Sequence, residues 1–443
     1  MKNIFKLLFL SVLIVSYTAC NLDLVNPNAA TEEQVLKTKD GLFGLAVGME
    51  DLYATSALGS AINTVAVTAR EASAVTTYSS LEGLEDGGAE LSGDNERVSR
   101  TFSRTHRVKG MAEDIIANVE DAELSDDTKA GIYGLANLYR AMSLGILAQN
   151  WEQVAILNSR DGNAVFSPRM DAYNEAISIL KASISRVKSA GVSDEFASTF
   201  MPQEELLNKL NAYLARYELF AGNYQDAIDA ANSVDKTKAY FFNYDSENKN
   251  PVYVLFIEDL VELAPRDNFG LPAELAVDPA DGRLAFYFNS IDTTSLTGLP
   301  IDQLVCPFFF ADNGPIPFYN PSEMDLIVAE AYARMDNFTE AENALNKVRN
   351  KKAADDVLGY GLAAGFDDTY TAGGDKTALL NEIYKNRRME TYLSGMALED
   401  SRRFNRPDPP ANIDYTTERN RNFYPYPASE RARNANTPED PQI

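Results

Sequence analysis

Apolar positions along the chain fall mostly into helical spacing. Over 39–54, Leu42, Leu45, Ala46, Met49, Leu52 and Tyr53 recur every three or four residues, which places them on one face of a helix. Leu207, Leu210, Leu214 and Tyr217 draw a second such stripe, and Met324, Ile327, Val328, Ala331 and Met335 a third. The pattern predicts further helices around 108–119 and 377–398. Thr31, ahead of Glu32, Glu33 and Gln34, reads as the N-cap of a helix start after a polar tether. Residues 72–96, rich in Ser, Thr, Gly and acids, read as a long loop. The runs VYVLFI and LAFYF, both inside 236–322, read as short strands.

Three segments also resemble one another. Each carries an apolar helical stretch that ends on an Asn–aromatic pair: Asn150–Trp151, Asn223–Tyr224 and Asn337–Phe338. After the pair, Ala227, Ala230 and Val234 match Ala341, Ala344 and Val348. Each unit reads as helix, short turn, helix, with small residues where the helices touch, a pattern similar to tetratricopeptide repeats. The units are unevenly spaced, so a plain solenoid is excluded. Trp151 occupies the turn position of Tyr224 and Phe338 and is expected to pack the repeat. Between the second and third units, 236–322 holds nine of the 19 prolines and 15 of the 45 aromatics, which marks a loop-rich, partly β insert.

Composition narrows the chemistry. There are 65 acidic and 40 basic residues in 443, a formal charge of −25. So acidic a chain is unsuited to phosphate backbones, and no nucleic-acid partner is expected. One histidine, His106, and two cysteines, Cys20 and Cys306, leave no Cys/His zinc site and little nucleophile chemistry. No catalytic residue, metal or cofactor is expected. Cys306, in LVCPFFF, reads as a small buried hydrophobe.

Residues 1–19 read as a signal peptide: Lys2 and Lys6, an apolar stretch from Ile4 to Val15 too short to span a bilayer, then Thr18 and Ala19. Cys20 directly follows, as in a bacterial lipobox with Tyr17 in place of the usual Leu. The expectation is lipidation at Cys20 and a chain, 20–443, that is anchored rather than spanning.

With these features in place the chain resembles the SusD/RagB nutrient-binding lipoproteins. Val328–Asn350 is similar to that family's AEA-containing helix pair. Arg387, Arg388, Glu390, Gly395, Asp400 and Arg403 match its Arg-rich block, with Ser394 where Glu is usual and Phe404 in place of Trp. Pro425, Pro427 and Glu430 match its terminal motif, and Asp281, Arg283 and Leu284 a D-P-R-L element with Gly282 replacing Pro. The resemblance implies a mainly α, SusD-like fold. It implies a lipid-anchored protein of the outer membrane, facing outward, that captures a nutrient, usually an oligosaccharide. The nutrient would pass to a SusC-like TonB-dependent transporter, with no reaction catalysed. Capture of a peptide or other non-glycan nutrient by the same machinery is an alternative, as is a tetratricopeptide-type protein-interaction scaffold.

The matched Arg, Glu and Asp residues are expected to hold the fold, because an unpaired buried charge is costly. The basic stretch Arg97, Arg100, Arg104, His106, Arg107 and Lys109 reads first as a solvated helix face and second as a contact for an anionic ligand or for the transporter. GYGLAAG at 359–365 lacks the strand before it that a nucleotide loop needs. EDGGAELSGDNE lacks EF-hand spacing and reads as a solvated loop rather than a calcium site. Sugar rings stack on aromatic faces, so the ligand surface is expected where the early loop, 72–96, meets the insert. Its candidates are Tyr78, Tyr244, Phe269 and Tyr287, with Arg266, Asp267 and Asn268 as polar neighbours.

Overall fold

A computed structural model describes residues 36–443 apart from Asp259. The predicted signal peptide, Cys20 and the cap expected at Thr31 lie outside the described residues. Helix α1 (Lys39–Leu52) is capped by Thr38, whose hydroxyl oxygen accepts from Gly41 N at 3.1 Å. A π-helical turn, Tyr53–Ala57, carries it into α2 (Leu58–Thr68). Then follow β1 (Ala72–Ala74), α3 (Ser79–Asp86), α4 (Glu96–Asn118) and α5 (Asp126–Asn150). An antiparallel pair, β2 (Gln153–Ala155) with β3 (Phe166–Pro168), leads to α6 (Arg169–Ala190) and α7 (Asp194–Thr199). The first repeat unit therefore differs from expectation. Trp151 is extended and β2 follows it, so there is no second helix directly after the turn.

The other two units are built as expected. Helix α8 (Gln203–Ala221) is joined to α9 (Tyr224–Asn232) through Gly222 at φ +83°. Later, α12 (Pro321–Arg334) and α13 (Phe338–Arg349) turn through Asp336 at φ +64°. The amide of Asn223 donates to Glu218 O and that of Asn337 to Tyr332 O, both at 2.9 Å, so the two turns share one hydrogen-bond pattern. Ala227 and Ala341 are fully buried in the second helix of each pair. Helices α4, α5, α6, α8, α9, α12 and α13 pack in a continuous row, each on its predecessor. Gly145 allows the crossing of α5 and α8, since a Cβ there would lie 2.0 Å from the Tyr217 hydroxyl.

The insert contains β4 (Phe241–Phe242), α10 (Pro251–Phe256), β5 (Leu263–Pro265), α11 (Gly282–Tyr287), β6 (Phe288–Thr294), β7 (Pro300–Leu304) and β8 (Ile316–Pro317). Its strands pair antiparallel, β4 with β8, β6 with β7, and β5 with β1 of the early segment. Both strand expectations are corrected. VYVLFI is helical because the Asn250 side chain accepts from Val252 N and Tyr253 N and Pro251 pre-sets the first turn. In LAFYF, Asp281 caps α11 by accepting from Arg283 N at 3.0 Å, and only Phe288 begins a strand.

Residues 72–96 are likewise no single loop. Leu81 and Leu84, three apart and fully buried, anchor α3, and Gly87 and Gly88 at positive φ end it. The helix expected over 377–398 is two, α14 (Lys376–Glu390) and α15 (Ala397–Arg403). Leu393 at φ +52° and Gly395 at φ +80° break it. A final short α16 (Ala428–Arg433) completes the element order among the described residues. Trp151 is buried, lies edge-on to Phe102 and Tyr424, and donates through Nε1 to Pro425 O at 3.2 Å. It is a packing residue, but it packs against α4 and the C-terminal segment rather than closing a helix-turn-helix repeat as expected. Cys306 is a buried free thiol whose ionisation burial opposes.

Candidate functional site

The first turn of α4 is fixed by Asn95, whose Oδ1 accepts from Arg97 N at 3.0 Å and from Val98 N at 3.3 Å. From there Arg97, Arg100 and Arg104 recur at i, i+3 and i+7 and share one face. Val98, Thr101, Phe102 and Thr105 face the core. The basic face lines a cavity of about 240 Å³. Its opposite wall comes from Thr55 and Ser56 in the π-helical turn and from Ser60 and Asn63 on α2, with Lys249 and Leu255 of the insert closing one side. π-Helical turns inside helices often mark functional sites, and here the turn brings two hydroxyl side chains to the cavity. Gly59 sets the width, since a Cβ would lie 2.3 Å from the Pro251 side chain.

A second, more open cavity of about 610 Å³ shares Arg97, Arg100 and Glu262 with the first. Tyr78, 44% exposed, lines it beside Glu90, Asp94 and Asn95. The early segment and the insert are locked at this seam. Val75 N donates to Glu262 O at 2.9 Å, β1 pairs with β5, and Arg97 Nη2 meets Glu262 Oε2 at 2.5 Å. Together the cavities form one cleft, in the size range of ligand sites.

The charges of the cleft are not all alike. Arg97 pairs with Glu262, Arg100 with Glu96, and Lys249 with Glu258. Arg104 donates to Ser60 Oγ at 3.0 Å and has no carboxylate within ion-pair distance among the described residues. Burial and the neighbouring Arg100 lower its pKa, with Glu96 opposing. The Oδ1 of Asn63 has no hydrogen-bond partner among the described residues.

No family model matches the chain, and no curated protein sequence matches it. Solved structures do. NanU of B. fragilis superposes with a TM-score of 0.66 at 16% identity, covering 94% of this chain and 99% of that one. A SusD superfamily protein from Bacteroides fragilis gives 0.68 at 14% identity, over 91% and 100% of the two chains. A SusD-like carbohydrate-binding protein from Bacteroides vulgatus gives 0.61 at 17% identity, over 81% and 82%. The chain has the SusD fold.

In this SusD-like chain the expected meeting of early segment and insert occurs, but it gathers few of the expected residues. Tyr78 alone among the predicted aromatics presents an open ring. Tyr244 is 8% exposed and donates its hydroxyl to Ala54 O at 3.1 Å. Phe269 is fully buried at φ +57° and packs on Tyr287, Phe288 and Tyr392. Tyr287 is 2% exposed and borders a small internal cavity of about 70 Å³. All three rings are buried, and none of them lines the cleft. Arg266 is buried, donates to Tyr415 O at 3.0 Å, and has its pKa lowered to about 10 by burial and by Arg70. Asn268, at φ +52°, braces its own turn through Leu271 O and Val277 N. Asp267 is exposed beside them, and its pKa is raised by partial burial. None of these three lines the cleft.

Sequence reasoning missed Ser56, Ser60, Asn63, Lys249 and Glu262. No motif marks them, and they meet only because α2, the insert and α4 pack together. The basic stretch itself divides. Arg97, Arg100 and Arg104 line the cleft, while His106 and Lys109 turn to the chain around 155–158. His106 Nδ1 bonds Asn158 Oδ1 at 2.9 Å, and burial, then Lys109, lower its pKa to about 3, which keeps it neutral. Lys109 donates to Ala155 O and Ile156 O. In GYGLAAG, the Asp356 carboxylate accepts from the amides of Tyr360, Gly361 and Leu362, so the loop's donors are already taken. Among the described residues no cluster of His, Cys, Asp or Glu is arranged to hold a metal, and no helix is long and apolar enough to cross a membrane.

Proposed function

We propose that this chain is a nutrient-binding lipoprotein of the SusD kind, which captures an oligosaccharide in the cleft between α2, α4 and the insert. The observation that carries this reading is the cleft itself. An exposed ring, Tyr78, stands beside a concentration of hydroxyl, amide and charged groups on a rigid helical scaffold. Ring stacking and polar hydrogen bonding are what a saccharide requires. The structural neighbours described as carbohydrate- or sugar-binding support the same ligand class. On this reading no bond of the nutrient is broken. Cys20 carries the lipid, the protein faces outward from the outer membrane, and a SusC-like TonB-dependent transporter receives the ligand.

Calorimetry against a panel of oligosaccharides and peptides tests the ligand class. Saccharide binding that weakens in Tyr78→Ala is expected. Binding of peptides alone would replace the glycan with a peptide nutrient. Cys20→Ala is expected to release the protein from the membrane fraction, and co-purification of the wild type with a TonB-dependent barrel is the expected partner result.

A further inference from the structure

The two lobes of the cleft differ in charge. The inner lobe is lined by Arg97, Arg100, Arg104 and Lys249 against a single acid, Glu262. The outer lobe adds Glu90, Asp94 and Glu96 around Tyr78. In a chain of formal charge −25, a lobe with four cations is a local reversal of sign. Three of those cations already have carboxylate partners within the protein, and Arg104 has none among the described residues. A partly buried guanidinium held only by a serine hydroxyl is incompletely compensated, and a carboxylate or sulfate completes it with a charge-assisted, planar hydrogen-bond pair. Asn63, 8% exposed in the same wall, has a carbonyl oxygen with no partner among the described residues, which a ligand hydroxyl can satisfy.

We infer that the cleft selects an acidic saccharide, with the anionic group seated against Arg104 in the inner lobe and the hydroxyl-rich remainder lying toward Tyr78. This rests on the saccharide reading above and adds the charge class. The outer lobe fits the second half of such a ligand, because carboxylates of Glu90 and Asp94 accept from sugar hydroxyls but repel a second anion. One anionic group per bound segment is therefore favoured over a uniformly charged chain. An acidic peptide would satisfy Arg104 equally but offers few hydroxyls to the outer lobe.

The experiment is calorimetry on the purified protein with uronate-, sialate- and sulfate-bearing oligosaccharides, each beside its neutral counterpart (methyl-esterified, reduced or desulfated). At least one acidic probe is expected to bind tenfold or more tightly than its neutral partner. That preference is expected to shrink as salt is raised. Arg104→Gln is expected to erase the preference without moving the melting temperature, and Arg104→Lys to restore part of it. Neutral partners binding as tightly as acidic ones, or a preference that survives Arg104→Gln, would overturn the charge assignment and leave the saccharide reading standing. Failure of every saccharide, or capture of oligoglutamate alone, would overturn both.

Discussion

Arginines are concentrated in two regions of this molecule, and their partners separate the two. In the C-terminal region Arg387 and Arg403 find buried carboxylates on another helix. Arg387 on α14 meets both oxygens of Asp400 at 2.8 and 3.0 Å. Arg403 on α15 grips Glu330 of α12 through two bonds at 2.9 and 2.7 Å. Arg283 of the insert is held by Asp281 and Glu390. Burial alone would raise the carboxyls of Asp400 and Glu330, yet the guanidinia outweigh it and hold both below their usual range. On α4, by contrast, Arg97, Arg100 and Arg104 line a cavity, the pairs of the first two are partly open to solvent, and Arg104 has no carboxylate within ion-pair distance among the described residues. Identical side chains thus serve as struts where the fold supplies the counter-charge and line an open cleft, the ligand surface of the proposed function, where it does not.

The strut side of that contrast gives the largest expected effect. Arg387→Ala leaves Asp400 buried with two of its three side-chain donors removed, and breaking such a pair costs about 3–5 kcal/mol. A steep loss of thermal stability is expected, with ligand binding by the folded fraction unchanged. A melt close to that of the wild type would remove the distinction between the regions.

Glu71 lies where the regions meet. It directly precedes β1, and its Oε1 is 3.9 Å from Arg388 Nη1 and accepts from Leu393 N at 3.3 Å. Burial raises its pKa from 4.5 to about 7, with Arg388 opposing. Folding therefore favours its protonated form. The stability it contributes is complete below about pH 4.5, falls as pH rises to about 7, and is absent above. Glu71→Gln is expected to flatten that part of the stability profile by roughly 1–3 kcal/mol, followed by denaturant titration at a series of pH values. The paired Glu330 and Asp400 act in the opposite sense, losing stability on acidification, and should persist in this variant.

How far this was legible in the sequence follows from the same contrast. The helix pairs were readable, because Ala227 and Ala341 recur behind matching Asn–aromatic turns. The strut role of Arg387 and Arg403 was readable through the family resemblance of their block. Strand and helix were confused at VYVLFI, where the cap at Asn250 and Pro251 outweighs the β propensity of Val and Tyr. The cleft was half readable. The spacing of Arg97, Arg100 and Arg104 gives one helical face, but no pattern tells which basic face is solvated and which meets a cavity. Aromatic density misled, since Phe269 and Tyr287 build the insert's own core.

On the cleft side, Arg97→Gln removes a pair whose two side chains are each 17% exposed. Pairs of this kind contribute about 1 kcal/mol or less. A small fall in the melting temperature is expected, together with looser protection of 258–265 in hydrogen exchange, because Glu262 loses one of the contacts that hold the insert to α4.

The smallest expected effect on stability carries the most functional information. Tyr78 sits at the N-cap of α3 with φ −72° and ψ 125°, extended values any residue adopts, and contributes only its backbone carbonyl to the turn, accepting from Leu81 N and Glu82 N. Its half-exposed ring lines the outer cavity. Tyr78→Ala therefore removes no fold contact of consequence, and a stability change within about 0.5 kcal/mol is expected. Loss of one stacking ring should weaken a bound sugar by about tenfold, by analogy with bases stacked on aromatic side chains. Melting and calorimetry on the same preparation separate the two quantities. An unmoved melt with weakened binding puts Tyr78 on the ligand side of the contrast. A destabilised variant would return it to the packing role of Phe269 and Tyr287. Full affinity in a stable variant would leave recognition to the arginines of α4.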